Sequence, residues 1–234
     1  LASNLAAGAI GFLLFTLLKV PPFAGFLDVG EPGGLTVGYA VWAIGLGIVG
    51  AILAAYIGIA FQVLGKVMSR FDNQVVLRAL VAGVIIGIVC YFIPDLMFSG
   101  ETSIHTIMAN PAQVGVAMLL LMALLKPLLL ALSFKSGYIG GPIFPSLLTA
   151  VMMGLAISLL VPGMPLSILI TCLEVAVVTL ILKAPLTSIL LVSVVARAGA
   201  DLVGLITVAA VTAMIVGQVF QMLRAQRAAG KAAA

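Results

Sequence analysis

The chain has 234 residues, of which 64% are hydrophobic and only 8% charged, with a formal net charge of +4. A soluble domain carries about 25% charged residues; this deficit, with a mean hydropathy of +1.36, excludes that class and indicates an all-α integral membrane protein. The basic excess is not a nucleic-acid surface, because Lys and Arg stand singly at segment ends with no aromatic-interleaved basic face.

Apolar runs follow one another along the chain, separated by short charged or Pro/Gly-rich joints. The first spans Leu5 to Leu18. The second, Leu35 to Leu64, holds no charge and as a helix would be about 45 Å long, more than a roughly 30 Å hydrocarbon core. The third runs from Val75 to Ile93, and a polar stretch with Glu101 and His105 follows. The fourth, Ala112 to Phe134, carries Lys126-Pro127 inside it. The fifth starts after Gly140-Gly141-Pro142 and runs to Val161. The sixth is Leu166 to Leu182, with Glu174 at its middle. The seventh, Ala184 to Ala196, makes about 20 Å of helix and is too short to span unaided. The eighth, Leu202 to Leu223, leads to a basic, Ala-rich tail over 224–234. This divides the chain into a transmembrane domain, 1–223, and a cytoplasmic tail. The sequence begins at Leu1 without a positive n-region or cleavage site, so its start reads as a piece of a longer protein and not as a signal peptide.

Joint charges alternate. Lys66, Arg70 and Arg78 share one side with Lys135, Lys183 and the tail cations Arg224, Arg227 and Lys231, whereas Asp28, Glu31, Asp95 and Glu101 fall on the other. The positive-inside rule then places both ends of the chain in the cytoplasm of a multi-pass cell-membrane protein. Uneven and interrupted helices suit a transporter or channel better than a plain anchor bundle. Gly83-x-x-x-Gly87 fits close helix packing or an ordinary membrane-helix glycine pair.

The stretch Ser136 to Pro145, SGYIGGPIFP, bears most directly on function. The Gly pair allows a turn at almost any φ, and Pro142 has the φ of a first helical residue. A helix starting there exposes N–H groups that carry about half a positive charge and favour an anion. The candidate anion site is therefore the helix start Gly140, Gly141, Pro142, Ile143 and Phe144, acting through the backbone N–H groups of Ile143 and Phe144. A tight turn capped by neighbouring helices is the alternative reading.

Glu174 is a candidate proton or coupling carboxylate, or else a structural group paired with Lys183 or Lys126. Lys126 reads as a snorkelling cation beside Pro127, with a pore-lining cation as the alternative. His105 reads as a loop histidine, and Tyr39 and Trp42 as interfacial aromatics. Cys90 and Cys172 lie in apolar runs without disulfide or metal spacing. No nucleophile elbow, P-loop, zinc motif or catalytic carboxylate pair argues for an enzyme or a cofactor.

Three stretches in register resemble the CLC family of chloride channels and proton-coupled chloride antiporters. Ser136-Gly137 with Gly140-Gly141 and Phe144-Pro145 is similar to the family's Gly-Gly-x-Phe-x-Pro signature. Lys183-Ala184-Pro185-Leu186-Thr187 resembles its Arg-Ala-Pro-Leu-Thr helix start, and Asp28-Val29-Gly30 its first-joint motif. The resemblance covers nearly the whole chain and implies the second half of a CLC subunit. It further implies an anion held at the Gly-Gly helix start, a homodimer joined through the first, seventh and eighth segments, and a lipid bilayer as the medium. Halide dehydration would rest on helix N-termini and hydroxyls without a fixed full charge. The family's Gly-Ser-Gly-Ile-Pro helix start and gating Glu belong to its first half and have no counterpart here, and the tail lacks the family's site tyrosine. The family position of Glu174 is usually apolar. Pro142 lacks an N–H where the family has a donor, and the aromatic falls one place later, as in a divergent bacterial branch. Restoring that N–H is expected to tighten anion binding. The rival readings are another secondary transporter using Glu174, and a non-transporting membrane fragment or subunit.

Overall fold

A computed structural model describes residues 2–18, 27, 29–98 and 100–232. Asp28 of the Asp-Val-Gly motif lies outside them. The described residues are mostly helical, and none of them forms a strand. In chain order the helices are α1 (Ala2–Leu17), α2 (Val37–Met68), α3 (Val75–Phe92), α4 (Glu101–Ala109), α5 (Pro111–Val114), α6 (Val116–Lys135), α7 (Ile143–Leu160), α8 (Leu166–Leu182), α9 (Pro185–Val195) and α10 (Ala200–Ala232). The apolar runs are helical, because in hydrocarbon a segment must satisfy its own backbone groups; the fourth is divided at Gly115 between α5 and α6. Among the described residues five helices are long and apolar enough to cross a membrane: α2, α3, α6, α7 and α10. The apolar α8 and α9 are shorter.

Two stretches differ from expectation. The polar joint after α3 folds into α4, so His105 stands exposed on a helix and not in a loop. The eighth apolar run ends as a candidate span at Leu223, as expected, but the helix α10 itself continues to Ala232 through a tail rich in Ala, the best helix former.

The body is built around α8. Every residue from Ser167 to Thr179 is buried, as expected of a helix apolar all round and enclosed by neighbours. It packs against α2, α7, α9 and α10, and α6 lies against α7 and α2. Small residues permit the closest approaches. A Cβ on Gly50 would stand 2.4 Å from the Ala176 Cβ, and one on Gly154 would stand 3.0 Å from Ile170. Gly47 meets the Ala209 carbonyl of α10 equally closely. The Gly83-x-x-x-Gly87 spacing does not mark such a seam: Gly87 faces open space, and Gly83 meets only the Tyr138 hydroxyl.

One end of the body collects cations. Lys66, Arg78 and Lys135 line an open cavity of about 520 Å³, which brings together three of the residues that the alternating charges place on one side. Arg78 donates to Asp72 at 2.8 Å, and Lys135 lies 5.9 Å from the Phe61 ring centroid.

Candidate functional site

The α6–α7 turn sets the geometry of the candidate site. The left-handed residue is Gly137, at φ +96°; Gly140 and Gly141 do not take positive φ. The expected freedom of the Gly pair is thus used for space, since neither has a neighbour within 4 Å of a built Cβ. The Tyr138 hydroxyl donates to the Ala79 carbonyl at 2.9 Å and fastens the turn to α3. Helix α7 starts at Ile143 with Pro142 as its N-cap residue. The first rung is the Ser146 N–H on the Pro142 carbonyl at 3.2 Å, and the Ser146 hydroxyl donates to the same oxygen at 2.7 Å.

The α9 start repeats this build. Pro185 opens the helix, and both the N–H and the hydroxyl of Ser188 donate to the Ala184 carbonyl, at 3.0 and 2.9 Å. Lys183, at φ +54°, ends α8 immediately before it. Val29 and Gly30 lie at the other end of α9. The Leu27 N–H donates to the Val195 carbonyl at 3.1 Å, Gly30 has φ +71°, and Glu31 Oε1 accepts the Gly199 N–H at 2.6 Å. The second and third sequence motifs therefore close on opposite ends of the same short helix.

Two cavities flank the α7 start. The larger, about 600 Å³, is lined by Gly140, Gly141, Phe144 and Pro145 on one side and by α3, α6 and residues 96–98 on the other. The smaller, about 310 Å³, is lined by Pro142 and Ser146 together with residues of α2, α6 and α8. The five candidate positions are thus not gathered around one space: Gly140, Gly141 and Phe144 face the larger, Pro142 the smaller, and Ile143 lines neither.

Lys126 also lines the larger cavity, and it does not snorkel. Its side chain is buried, 3% exposed, and its ammonium donates to the Leu96 carbonyl at 2.8 Å and to the Phe98 carbonyl. Sequence reading set it aside in favour of the Pro127 kink; the available signal was a cation inside an apolar run nine residues before the turn.

Glu174 is fully buried on α8, and neither carboxylate oxygen has a hydrogen-bond partner among the described residues. The expected pairing with Lys126 or Lys183 does not form. Lys126 is bonded to carbonyls on the other side of the body, and Lys183 is exposed beyond the end of α8. Glu174 lines neither cavity. Trp42 and Tyr39 are half-buried and pack against the α2, α8 and α10 core. Cys90 and Cys172 are free and buried. No cluster of three His, Cys, Asp or Glu able to hold a metal occurs among the described residues.

Several helices apolar and long enough to cross a membrane, bundled around α8, make the chain a multi-pass membrane protein. The family model described as voltage gated chloride channel matches residues 1–218, and the chain belongs to that family. No curated protein matches the chain. Membership supports chloride channel or antiporter function in general, within a lipid bilayer.

Proposed function

We propose that this chain forms one wall of a chloride path, with the anion resting against the turn before α7. The observation that carries the reading is the helix start itself: the glycines leave room beside it, and a cavity of about 600 Å³ opens there. Partial positive charge at a helix start stabilises an anion, and in a low-dielectric surrounding it offsets part of the halide's dehydration cost. By resemblance, other walls come from the first half of the family's subunit, and two copies associate as a homodimer. The exposed stripe Leu186, Leu190 and Val194 on α9 is compatible with that contact. The basic end bearing Lys66, Arg78 and Lys135 then faces the cytoplasm, together with both chain ends.

Chloride titration of the detergent-purified protein by calorimetry tests the site, with saturable heat as the expected result. Liposomes containing only this chain are expected to show no chloride flux; sustained flux from it alone would refute the one-wall reading.

The unpartnered oxygens of Glu174 favour a second reading, a secondary transporter for another solute with Glu174 as its coupling carboxylate. Absence of chloride heat, together with loss of another solute's transport in Glu174→Gln, would establish it. The closed packing around Glu174 speaks against it, since a relay needs a route for the proton or ion.

A further inference from the structure

The larger cavity contains one formal charge. Of its lining residues only Lys126 is ionic; the rest are apolar side chains, glycines, Cys90, Ser133 and Tyr138. The hydroxyl hydrogens are already committed, Ser133 to the Leu129 carbonyl at 2.9 Å and Tyr138 to the Ala79 carbonyl at 2.9 Å. A hydroxyl has a single hydrogen to give, whereas an ammonium has three. Lys126 gives two, to the Leu96 and Phe98 carbonyls, and keeps one.

Among the described residues its charge has no counter-ion. Arg78 pairs with Asp72, and no carboxylate whose side chain is described comes within 4.0 Å of the Lys126 ammonium. Carbonyl dipoles solvate the cation without neutralising it. An uncompensated charge in a low-dielectric interior costs several kcal/mol, and a mobile anion in the adjoining space would relieve that cost. Gly140 and Gly141, in the turn before the α7 start, border the same space.

We propose that Lys126 is the electrostatic anchor of this cavity, holding a small monovalent anion of the halide class between α6 and the Gly140-Gly141 turn. The inference rests on the helix-start reading above and changes it in one respect: the anion meets a fixed full charge as well as backbone dipoles. It also assigns a second task to the same side chain. Phe98 sits at φ +50°, an uncommon conformation for a large residue, and the bond from Lys126 to its carbonyl clamps that segment at the cavity wall.

Two measurements on the purified protein separate the possibilities. In calorimetric titration with sodium chloride, against sodium gluconate at constant ionic strength, Lys126→Met should weaken binding at least tenfold. Wild-type affinity in that variant would overturn the anchor and leave the helix-start site standing, whereas no heat in the wild type would overturn both. Because Lys126→Met also loses the clamp, so that a folding defect would mimic lost binding, the second measurement uses unaltered protein. Wild-type crystals soaked in bromide should show the anomalous peak in contact with Lys126 Nζ. A peak at the α7 start away from Lys126, on the Pro142 side, would overturn the anchor even if every variant failed to fold.

Discussion

Around Lys126 the helices leave a space; around Glu174 they close. Both residues interrupt long apolar runs, and both end up nearly or wholly excluded from the surface, at 3% and 0% exposure. Lys126 lies where α6 passes the 96–98 segment and the α7 turn, with a cavity of about 600 Å³ beside it. Its charge is solvated by two carbonyls. Glu174 sits on α8, where small residues let α2 and α7 approach nearly to backbone distance, and it finds no partner there. The difference teaches that a charged residue in a membrane helix becomes a candidate ligand only when the packing also supplies room. Helix starts show the same rule. The α7 and α9 starts are built alike, with Ser146 and Ser188 bonding back to the residue four before, but the flanking cavities described lie at α7.

The largest expected effect breaks the closed region. Gly50→Ala would force its Cβ against Ala176, on two rigid helices; a loss of about 3 kcal/mol is expected, at the upper end of ordinary overpacking. Thermal unfolding in detergent measures it, and an unchanged midpoint would mean that the α2–α8 contact is looser than described. Next, Glu174→Met removes two unpartnered oxygens at similar volume, so a gain of about 1–3 kcal/mol is expected in the same assay. A loss of that size would reveal a partner for Glu174 and bring the two regions closer in kind.

The open region is probed more gently. The Tyr138 hydroxyl ties the α7 turn to α3, and Tyr138→Phe should cost about 1 kcal/mol. Chloride titration of the same variant shows whether the turn's position matters to the anion. The smallest effect is expected at Pro142. From sequence alone a restored N–H there should tighten binding, but Pro142 lines the smaller cavity and not the one that holds Lys126. Pro142→Gly is therefore expected to change chloride affinity by less than about threefold, well under the full worth of a hydrogen bond to an ion. A tenfold gain would move the anion to the other side of the helix start.

Much of the fold was legible because hydrocarbon leaves a chain few options. Leu166–Leu182 was found to the residue, and the Pro142 and Pro185 starts lie where proline and the preceding residues set them. The helix of Glu101–Ala109 was missed because its mixed composition carries no apolar run to announce it. The motifs also marked the turn that borders the cavity. Lys126 was misread because snorkelling and burial make the same sequence pattern: one cation in a run of leucines.

By itself the sequence determined the class, the order and extent of most helices, and the places where they start. These depend on local quantities: hydropathy, the missing N–H of proline, and the space that glycine leaves. Tertiary structure alone decided which apolar helix is enclosed, which glycines form seams, and which buried charge borders a cavity. α3 and α8 are both apolar along their length, yet α8 is buried at every position from Ser167 to Thr179 and α3 only at Ala82 and Cys90. Burial of that kind is a property of neighbours, and neighbours far apart in the chain meet only when it folds.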